Sequence, residues 1–462
     1  MFRFIVALLV FAGLVTDVQA QLKVGFAEAD ITPMLDAKKP VFMAGFGQNR
    51  KATGVHDKIM VRVIVLADGK RKVAFACADL VGLFHPSIER IRKELPDFVN
   101  VTVSSTHNHE GPDTMGLWGA SPFASGVDRE YLKRVEATIA ETIQAAASNL
   151  HPANAFIGKV KAPELLRDSR RPEIKHDELV ALRFENDQKK IMGVVVQFNN
   201  HPETLSSKNT ELTADYVAGT VAEVREKQGC PVVYITGTVG GLMTSLGVPV
   251  KNAKGEELKD GTFEKADVYG RLIGKAANTA IDHAEAITLT PFVSRTQTIL
   301  LPVDNKLYQL GWQLGVLNRD IYLWNDDPMP KEFIVAKNLQ KPTALKSEVG
   351  YLQLGELGIA VIPGEIYPEL VLSRVADPAD ANADFPDAPI EPGIYANIPA
   401  KHRMIIGLGN DEVGYILPRR SWDEMPPYTY GYTKAPYGEE NSLGSRTGPI
   451  ICEVFQKVAK GK

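Results

Sequence analysis

The chain has few cysteines and no excess of positive charge. Its 462 residues include three cysteines, Cys77, Cys230 and Cys452, which can form at most one disulfide bond. At least two of them lie in apolar runs, which favours buried free thiols, although an oxidising compartment would permit one disulfide. The formal net charge is -4, and we find no basic cluster of the kind that neutralises phosphates. Nucleic acid is therefore not an expected partner.

Long hydrophobic runs are missing beyond the N-terminus. Residues 5–14 form an apolar and small-residue run that follows one basic residue and ends near Val-Gln-Ala at 18–20. The run is about half of the roughly 20 residues that a membrane-spanning helix needs, and this pattern is typical of a signal peptide. We therefore expect residues 1–20 to be removed, leaving a soluble protein that is secreted or periplasmic and starts at Gln21.

The remaining composition is that of a globular protein with a large core. The chain is 44% hydrophobic and 23% charged, which leaves little room for disorder. No Ser/Gly-rich linker, internal repeat or long charge run divides it. One large domain and two smaller ones both fit this length.

Alternating short apolar segments and helical patterns predict a mixed α and β fold, a sheet core flanked by helices. The strands are predicted at Met60–Leu66, Val73–Ala78, Val101–Ser104, Met192–Phe198, Pro231–Ile235, Ile359–Ile362 and Met404–Ile406. The helices are predicted at Asp128–Ala147, Ala214–Lys227 and Lys265–His283. Residues 304–346 and 377–399 are predicted as long surface excursions, the first rich in aromatic side chains that could shape a pocket.

Polar residues follow five of the predicted strands. His107 and His109 follow the strand at 101–104, and His201 follows the strand at 192–198. The other three strand ends lead into residues 236–241, into Pro-Gly-Glu365, and into residues 407–415, which end at Tyr415. Sheets that contain parallel strands gather their sites at the carboxyl ends of strands. We therefore expect these side chains to share one crevice.

Two imidazoles and a carboxylate with an open fourth position are what catalytic zinc requires. Each residue alone has a plainer interpretation: a turn histidine for His201, an acid at a helix N-terminus for Glu365, a core side chain for Tyr415. Because such residues follow five of the predicted strands, we favour the interpretation in which they form one metal site. The ligand types do not by themselves name the metal.

The same segments, in the same order, resemble the neutral ceramidases over residues 24–458. Residues 106–112, Thr-His-Asn-His-Glu-Gly-Pro, are similar to the family's Thr-His-Thr-His-Ser-Gly-Pro. The resemblance implies that His107 is a zinc ligand and that His109 faces the substrate. The segment Asn-His-Pro-Glu-Thr at 200–204 resembles the second ligand segment, which implies that His201 is a ligand.

The resemblance extends to the later part of the chain. Pro-Gly-Glu365 resembles the segment with the carboxylate ligand, and residues 407–415 resemble the segment that ends in the tyrosine ligand, Tyr415. Tyr437 corresponds to a second tyrosine that helps to bind the oxyanion, and Arg170 corresponds to an arginine near the substrate. The resemblance thus implies a catalytic domain at 21–462, without the immunoglobulin-like C-terminal domain of these ceramidases.

One departure from the family falls at the predicted site. Neutral ceramidases carry a Gly-Asp-Val-Ser-Pro-Asn turn whose serine lies at the zinc, whereas residues 237–242 read Gly-Thr-Val-Gly-Gly-Leu. Thr238 replaces the aspartate and Gly240 replaces the serine, which we expect to leave space beside the metal. Because the serine is replaced, the sequence supports hydrolysis of an amide in general more strongly than hydrolysis of ceramide in particular.

The expected function is zinc-dependent hydrolysis of an amide in an N-acyl lipid or related small molecule, with transient membrane-surface contact as a further option. Zinc would activate water, His109 would move the proton, and Tyr437 with Arg170 would donate to the oxyanion. Alternatives are ester hydrolysis at the same site and a binding protein that lost catalysis with the serine. A metal-free serine hydrolase would need a Gly-x-Ser-x-Gly elbow, which the sequence does not contain.

Export with cleavage after residue 20 can be tested directly by mass. The intact mass of the protein recovered outside the cytoplasm should correspond to a chain that starts at Gln21, because a signal peptidase reads the small residues at the junction. Recovery of a full-length, membrane-bound form would contradict this prediction.

Overall fold

The structure, a computed structural model, describes residues 21–461. The expected signal peptide at 1–20 lies outside the described residues. The strands are β1 (Leu22–Asp30), β2 (Gly54–Val55), β3 (Met60–Asp68), β4 (Arg71–Ala78), β5 (Asn100–Ser105), β6 (His151–Pro152), β7 (Asn154–Lys161), β8 (Arg167–Asp168), β9 (Glu178–Glu185), β10 (Ile191–Phe198), β11 (Glu211–Leu212), β12 (Val232–Thr236), β13 (Met243–Thr244), β14 (Glu285–Ile287), β15 (Phe292–Pro302), β16 (Ile321–Leu323), β17 (Thr343–Leu354), β18 (Leu357–Val361), β19 (Glu365–Ile366), β20 (His402–Ile406) and β21 (Tyr415–Ile416). The helices are α1 (His85–Lys93), α2 (Arg129–Ser148), α3 (Tyr216–Gln228), α4 (Phe263–Asp282), α5 (Lys306–Gln313), α6 (Pro368–Leu372) and α7 (Thr447–Lys460).

The three predicted helices form within a few residues of their expected bounds, because capping residues mark their ends. The Asp128 carboxylate accepts hydrogen bonds from two backbone N–H groups of the first turn of α2. Asp215 caps α3, which ends at Gly229 in the left-handed conformation, with a φ of 64°. Side-chain oxygens satisfy N–H groups that a helix start leaves unpaired, and glycine adopts the left-handed end without strain.

Three five-stranded sheets make up most of the molecule. The first has the order β5-β4-β3-β1-β6 and the second the order β12-β10-β9-β7-β14. The third has the order β15-β17-β18-β20, with β16 also paired to β17. Each sheet is largely antiparallel, but one pair at an edge is parallel: β4 with β5, β10 with β12, and β18 with β20.

The three sheets share one central core. Each contributes apolar side chains to it, such as Phe75 from the first sheet, Phe184 from the second and Ile359 from the third. Helices α1 and α2 cover the outer face of the first sheet, α3 and α4 cover the second, and α7 covers the third. The predicted mixed α and β fold, with sheets flanked by helices, is confirmed.

The first predicted surface excursion contains regular structure that the sequence analysis did not anticipate. Residues 304–346 include α5 and β16, and α5 starts where the Asn305 side chain accepts hydrogen bonds from the N–H groups of Leu307 and Tyr308 at 2.9 and 3.2 Å. The three cysteines are free and buried, as favoured from their apolar surroundings. Within residues 21–461, no helix combines the length and the apolar character that crossing a membrane requires.

Candidate metal centre

The three sheets are joined by hydrogen bonds where their parallel edge strands end. The N–H of Gly407, after β20, donates to the carbonyl of Thr236 at the end of β12 at 3.0 Å, and the Thr236 hydroxyl donates to the carbonyl of Thr106 at 2.8 Å. The N–H of Asn410 donates to the carbonyl of Val103 in β5 at 2.8 Å. Each bond connects two different sheets, so the segments that follow these strands meet.

At this junction, His107, His201 and Glu365 lie on segments that follow strands of three different sheets, β5, β10 and β18. The Nε2 atom of His107 lies 3.3 Å from Oε2 of Glu365, and the Nε2 atom of His201 lies 3.0 Å from the same oxygen. The two imidazole centroids are 4.7 Å apart. All three residues are buried. The crevice predicted from the strand ends therefore brings these candidate ligands together.

The backbone fixes which ring nitrogen of each histidine faces the carboxylate. Nδ1 of His107 lies 2.8 Å from the Val81 carbonyl, and Nδ1 of His201 lies 2.7 Å from the Met243 carbonyl. A carbonyl oxygen only accepts, so each Nδ1 carries the hydrogen and a neutral ring presents its lone pair at Nε2. Metal-binding histidines are commonly oriented by such a carbonyl.

This donor set fits a zinc ion. Two lone pairs and a carboxylate oxygen directed at one another repel unless a proton or a cation lies among them. Ligand atoms of a tetrahedral zinc site, at about 2.0–2.1 Å from the metal, lie roughly 3.3 Å from one another. The separations of 3.0 and 3.3 Å between the Nε2 atoms and the Glu365 oxygen have that size.

The electrostatics of the junction favour a positive charge beside Glu365. Burial alone would raise the pKa of this carboxyl, but where the rings take up a second proton at Nε2, the charge of His107 and hydrogen bonds from both histidines hold the pKa well below its usual value. Burial would lower the pKa of His201, yet its hydrogen bond to Glu365 raises it overall. The site therefore stabilises an ionised carboxylate together with a cationic partner.

His109 is a third histidine at the same place. Ring nitrogens of His107, His109 and His201 all lie within 4.8 Å of one another, so His109 could also approach a metal held by the other two. Burial, and then the charges of His107 and His201, lower its pKa well below the ordinary value. The His109 imidazole is therefore neutral near pH 7.

Glu203 and Thr244 accompany His109, although the sequence analysis gave neither a role. Oε2 of Glu203 lies 3.5 Å from Nδ1 of His109, and the Thr244 hydroxyl donates to Oε1 of Glu203. A signal for Glu203 was present, since it lies two residues after His201 and alternate residues of an extended segment share a face. Thr244 lies close to Glu203 because its backbone pairs with that of His201. This pairing could not be predicted from the sequence.

The backbone at His107 and Gly45 is specialised for this arrangement. His107 has a φ of 65°, in the left-handed region that non-glycine residues rarely occupy and that is often found at functional sites. Gly45 has a φ of 92°, and a Cβ there would lie 2.3 Å from Cγ of His109. A glycine at 45 thus allows the His109 ring to approach the metal site.

Tyr415 and Tyr437 lie next to the candidate ligands. Tyr415 pairs with Glu365 in the short parallel ladder of β19 and β21, and its ring contacts that of Tyr437 edge to face, with centroids 5.7 Å apart. Burial and then Glu365 raise the pKa of Tyr415, and burial and then Glu365 raise that of Tyr437. Both hydroxyls therefore keep their protons near pH 7.

Arg170 lies behind Tyr437 and is bound by other protein groups. Its guanidinium donates to both oxygens of Glu439 at 2.7 Å and to the Ser421 carbonyl at 2.6 Å. A further bond of 3.3 Å reaches the backbone carbonyl of Tyr437. These contacts orient the loop that carries Tyr437, whereas the prediction from the sequence was that Arg170 itself donates to the oxyanion.

Two connected spaces open from the candidate centre. An inner pocket extends from His107 and Glu365 and is walled largely by apolar side chains, Val81, Phe84, Met115, Leu117, Trp118, Val303, Trp312, Leu317, Ile321, Leu339, Leu345, Val413 and Leu443. An outer groove contains His201 and Glu203, polar residues such as Arg167, Ser169, Gln48 and Ser207, and apolar residues such as Phe46, Phe123, Leu242, Leu307 and Leu310. His109, Tyr415 and Tyr437 line both spaces, so the candidate centre lies at their boundary.

The expectation that Gly240 leaves space beside the metal is wrong. A Cβ on Gly240 would lie 2.5 Å from the Ile366 carbonyl carbon and 2.5 Å from the Tyr367 backbone nitrogen. The glycine is therefore packed against the backbone that follows Glu365. The sequence could not reveal this, because the contact joins segments more than a hundred residues apart.

Comparison with known proteins agrees with the resemblance found in the sequence. Residues 22–237 match the model of a family described as neutral/alkaline non-lysosomal ceramidase, N-terminal. The chain is similar to the crystal structure of a neutral ceramidase from Pseudomonas aeruginosa, with a TM-score of 0.69 and 16% identity over 95% of this chain and 74% of that one. A ceramidase complexed with C2 gives a TM-score of 0.69 and 15% identity over 95% of this chain and 75% of that one.

These matches confirm the resemblance to the neutral ceramidases and the shared fold. The residues of the family match include His107, His109 and His201, whereas Glu365, Tyr415 and Tyr437 lie beyond them. The grouping of these later residues with the histidines follows from the geometry of the junction.

The packing of Gly240 predicts the effect of restoring the family's serine. Gly240→Ser should lower the melting temperature and weaken metal retention, because the new side chain must displace the backbone next to Glu365. Gly54→Ser is the matched control, since a Cβ there makes ordinary contacts of 3.4 Å or more. Thermal denaturation and elemental analysis would test this, and unchanged stability and metal content in Gly240→Ser would contradict it.

Proposed function

We propose that the protein is a zinc-dependent hydrolase that cleaves an amide bond. The observation that carries the proposal is the pair of Nε2 atoms, from His107 and His201, that face one oxygen of Glu365 at 3.3 and 3.0 Å. These residues would hold the metal, with Tyr415 as the fourth and weakest ligand because its hydroxyl is protonated. Bound zinc supplies an activated water and polarises the scissile carbonyl.

His109 is the group best suited to move the proton. Nδ1 of His109 faces the Glu203 carboxylate, unlike Nδ1 of His107 or of His201. The His109 imidazole is neutral near pH 7. A neutral imidazole can accept a proton from the nucleophile and return it to the departing nitrogen. Glu203, itself held by the Thr244 hydroxyl, would orient the ring and stabilise its charged form.

Tyr437 would stabilise the negative charge that develops on the carbonyl oxygen. Its hydroxyl keeps its proton, because burial and then the Glu365 carboxylate raise its pKa, and it lines both spaces at the candidate centre. A donor placed where charge develops stabilises the transition state. We propose that Arg170 acts indirectly, by holding the Tyr437 loop through Glu439 and the Tyr437 carbonyl.

The two spaces suggest how an amide would lie across the site. The apolar inner pocket suits the hydrocarbon part of an acyl group, while the outer groove, which carries polar side chains such as Arg167 beside apolar ones such as Phe123, suits an amphiphilic amine half, which leaves first. An N-acyl lipid or a related amide fits this division. Ceramide is one such amide, and the relatives named as ceramidases make it a reasonable member of any substrate panel.

Exposed apolar side chains surround the mouth of the groove. Phe123 is 67% exposed, Leu307 is 65% exposed, and Leu310 in α5 and Leu314 just after it are 43% and 46% exposed. Large exposed apolar patches often mark contact with membranes or other partners. They support transient contact with a membrane surface from which an amphiphilic amide could enter the groove, in a protein that we propose is exported.

A binding protein that has lost catalysis is the second candidate. Gly240, in place of the family's serine, is the feature that favours it. The neutral His109 beside Glu203 argues for retained chemistry, because a site that only holds a metal or a ligand has no need of a proton acceptor at its boundary.

Metal analysis tests the ligand set. Purified protein should contain about one zinc per chain, and His107→Ala or His201→Ala should remove most of it, because two nitrogen donors hold the ion. Tyr415→Phe should lose less. His151→Ala, which alters an exposed histidine, is the control. Fully active protein that contains no metal would rule out the proposal.

Kinetics test the assignment of His109 and Glu203. On an amide found by screening N-acyl lipids, N-acyl amino acids and simple esters, His109→Ala should lower kcat by about a hundredfold or more, as expected for a lost proton-transfer group. Glu203→Gln should lower kcat by about tenfold with little change in KM, and both variants should retain zinc. Glu256→Gln, on an exposed turn, should resemble wild type.

Two outcomes would contradict this assignment. Loss of zinc in His109→Ala would make His109 a metal ligand. A zinc-loaded wild type that cleaves no member of the panel would favour the binding protein.

A further inference from the structure

The wall of the inner pocket contains a carboxyl group that the proposed chemistry does not use. Glu412 lines the pocket together with His107 and Glu365, and it is only 3% exposed. Its Oε1 accepts a hydrogen bond of 2.8 Å from the Gly414 N–H. Its Oε2 is buried and has no hydrogen-bond partner among residues 21–461. An unpaired buried polar atom beside a candidate reaction centre calls for a partner that the protein does not supply.

Among residues 21–461, the pocket wall offers no arginine or lysine that is free to pair with Glu412. Arg319 also lines the pocket, but its guanidinium donates to both oxygens of Asp411 at 2.9 and 2.7 Å and to the Lys346 carbonyl at 3.0 Å. The nearby side chains of Val81, Phe84 and Met115 are apolar. An isolated buried charge costs several kcal/mol, so the Glu412 carboxyl is neutral in this pocket.

Burial, which is the first cause, raises the pKa of the Glu412 carboxyl above the usual value for a glutamate, in line with its unpaired oxygen. A neutral carboxyl has both a hydrogen to donate and an oxygen that accepts.

Glu412 is held firmly in place. A Cβ on Gly82 would lie 2.8 Å from Cβ of Glu412 and 2.8 Å from Sδ of Met115, so the glutamate packs directly on the glycine. The Asp411 carboxylate accepts a hydrogen bond from the Glu412 backbone N–H at 2.9 Å. A carboxyl group fixed in this way can act as a recognition element, because little freedom is lost when it binds.

We propose that Glu412 is a specificity residue that hydrogen-bonds a hydroxyl group on the acyl part of the substrate, close to the scissile carbonyl. The preferred substrates are then amides of hydroxy acids with an otherwise apolar chain. A hydroxyl matches a neutral carboxyl, since each donates and accepts, whereas an ammonium or carboxylate would bring an uncompensated charge into the pocket. The inference rests on the proposed amide hydrolysis and adds the class of acyl group.

Matched chromogenic amides test this inference. The p-nitroanilides of octanoic, 2-hydroxyoctanoic and 3-hydroxyoctanoic acid differ only in one hydroxyl. Zinc-loaded wild type should cleave one of the hydroxy amides with a kcat/KM about tenfold above that of the octanoyl amide, the effect of one net hydrogen bond. Glu412→Gln, which still donates and accepts, should keep this ratio within about threefold.

Glu412→Leu should abolish the preference and bring the ratio to about one, with octanoyl turnover retained. Glu256→Gln, which alters an exposed residue outside both spaces, is the control and should leave the wild-type ratio unchanged. Circular dichroism and zinc content should show that each variant is folded and loaded. If the leucine variant does not fold, the wild-type ratio and the glutamine variant still decide the question.

Three results would overturn the inference. One is a wild-type ratio near one for both hydroxy amides. Another is a Glu412→Leu variant that keeps the wild-type preference. The third is a Glu412→Gln variant that loses the preference as fully as the leucine variant, which would mean that Glu412 does not bind the hydroxyl as a neutral donor and acceptor.

Absence of amide hydrolysis can be distinguished from absence of hydroxyl recognition by Glu412. If wild type cleaves none of the amides, calorimetric binding of octanoate and the two hydroxyoctanoates replaces the kinetics. Tighter binding of a hydroxy acid to wild type but not to Glu412→Leu would support the recognition site without hydrolysis. Equal binding of all the acids would overturn it.

Discussion

The meeting of three sheet edges is the constraint on which the rest of this structure depends. Each sheet is antiparallel over most of its width and ends in one parallel pair. The carboxyl ends of two parallel strands lie at the same edge of a sheet, so the polar segments that follow each pair lie side by side there. Backbone hydrogen bonds from Gly407 and Asn410 then tie these segments across the sheets. The candidate metal centre is a property of that junction and belongs to no single sheet.

Charge compensation explains why so many ionisable groups are tolerated in this interior. Buried pairs such as Arg62 with Asp79 and Arg319 with Asp411 are matched by bonds of 2.7–2.9 Å. One oxygen of Glu365 is matched by two histidines, His107 and His201. A buried ionisable group that lacks an oppositely charged partner is uncommon. In a core of this kind, such a group indicates a bound ligand or a functional role.

The fold could be predicted from the sequence wherever a local pattern determined the structure. Continuous apolar runs predicted strands such as β10 and β12, and capping aspartates marked the starts of α2 and α3. The candidate ligands were found because each follows a strand. Spatial neighbours that come from distant segments could not be found in this way. Thr244 beside Glu203, Ile366 against Gly240, and Glu439 on Arg170 depend on how the sheets dock.

Because His107, His201 and Glu365 follow strands of three different sheets, occupancy of the centre is linked to the integrity of the whole molecule. A cation held there would fasten three layers that otherwise meet through apolar packing and a few hydrogen bonds. A ligand that binds only the folded protein, with its three sheets docked, stabilises it by an amount that grows with ligand concentration. The gain is about 1.4 kcal/mol for each tenfold excess over the dissociation constant. Resistance to unfolding would then report how much metal the surroundings provide.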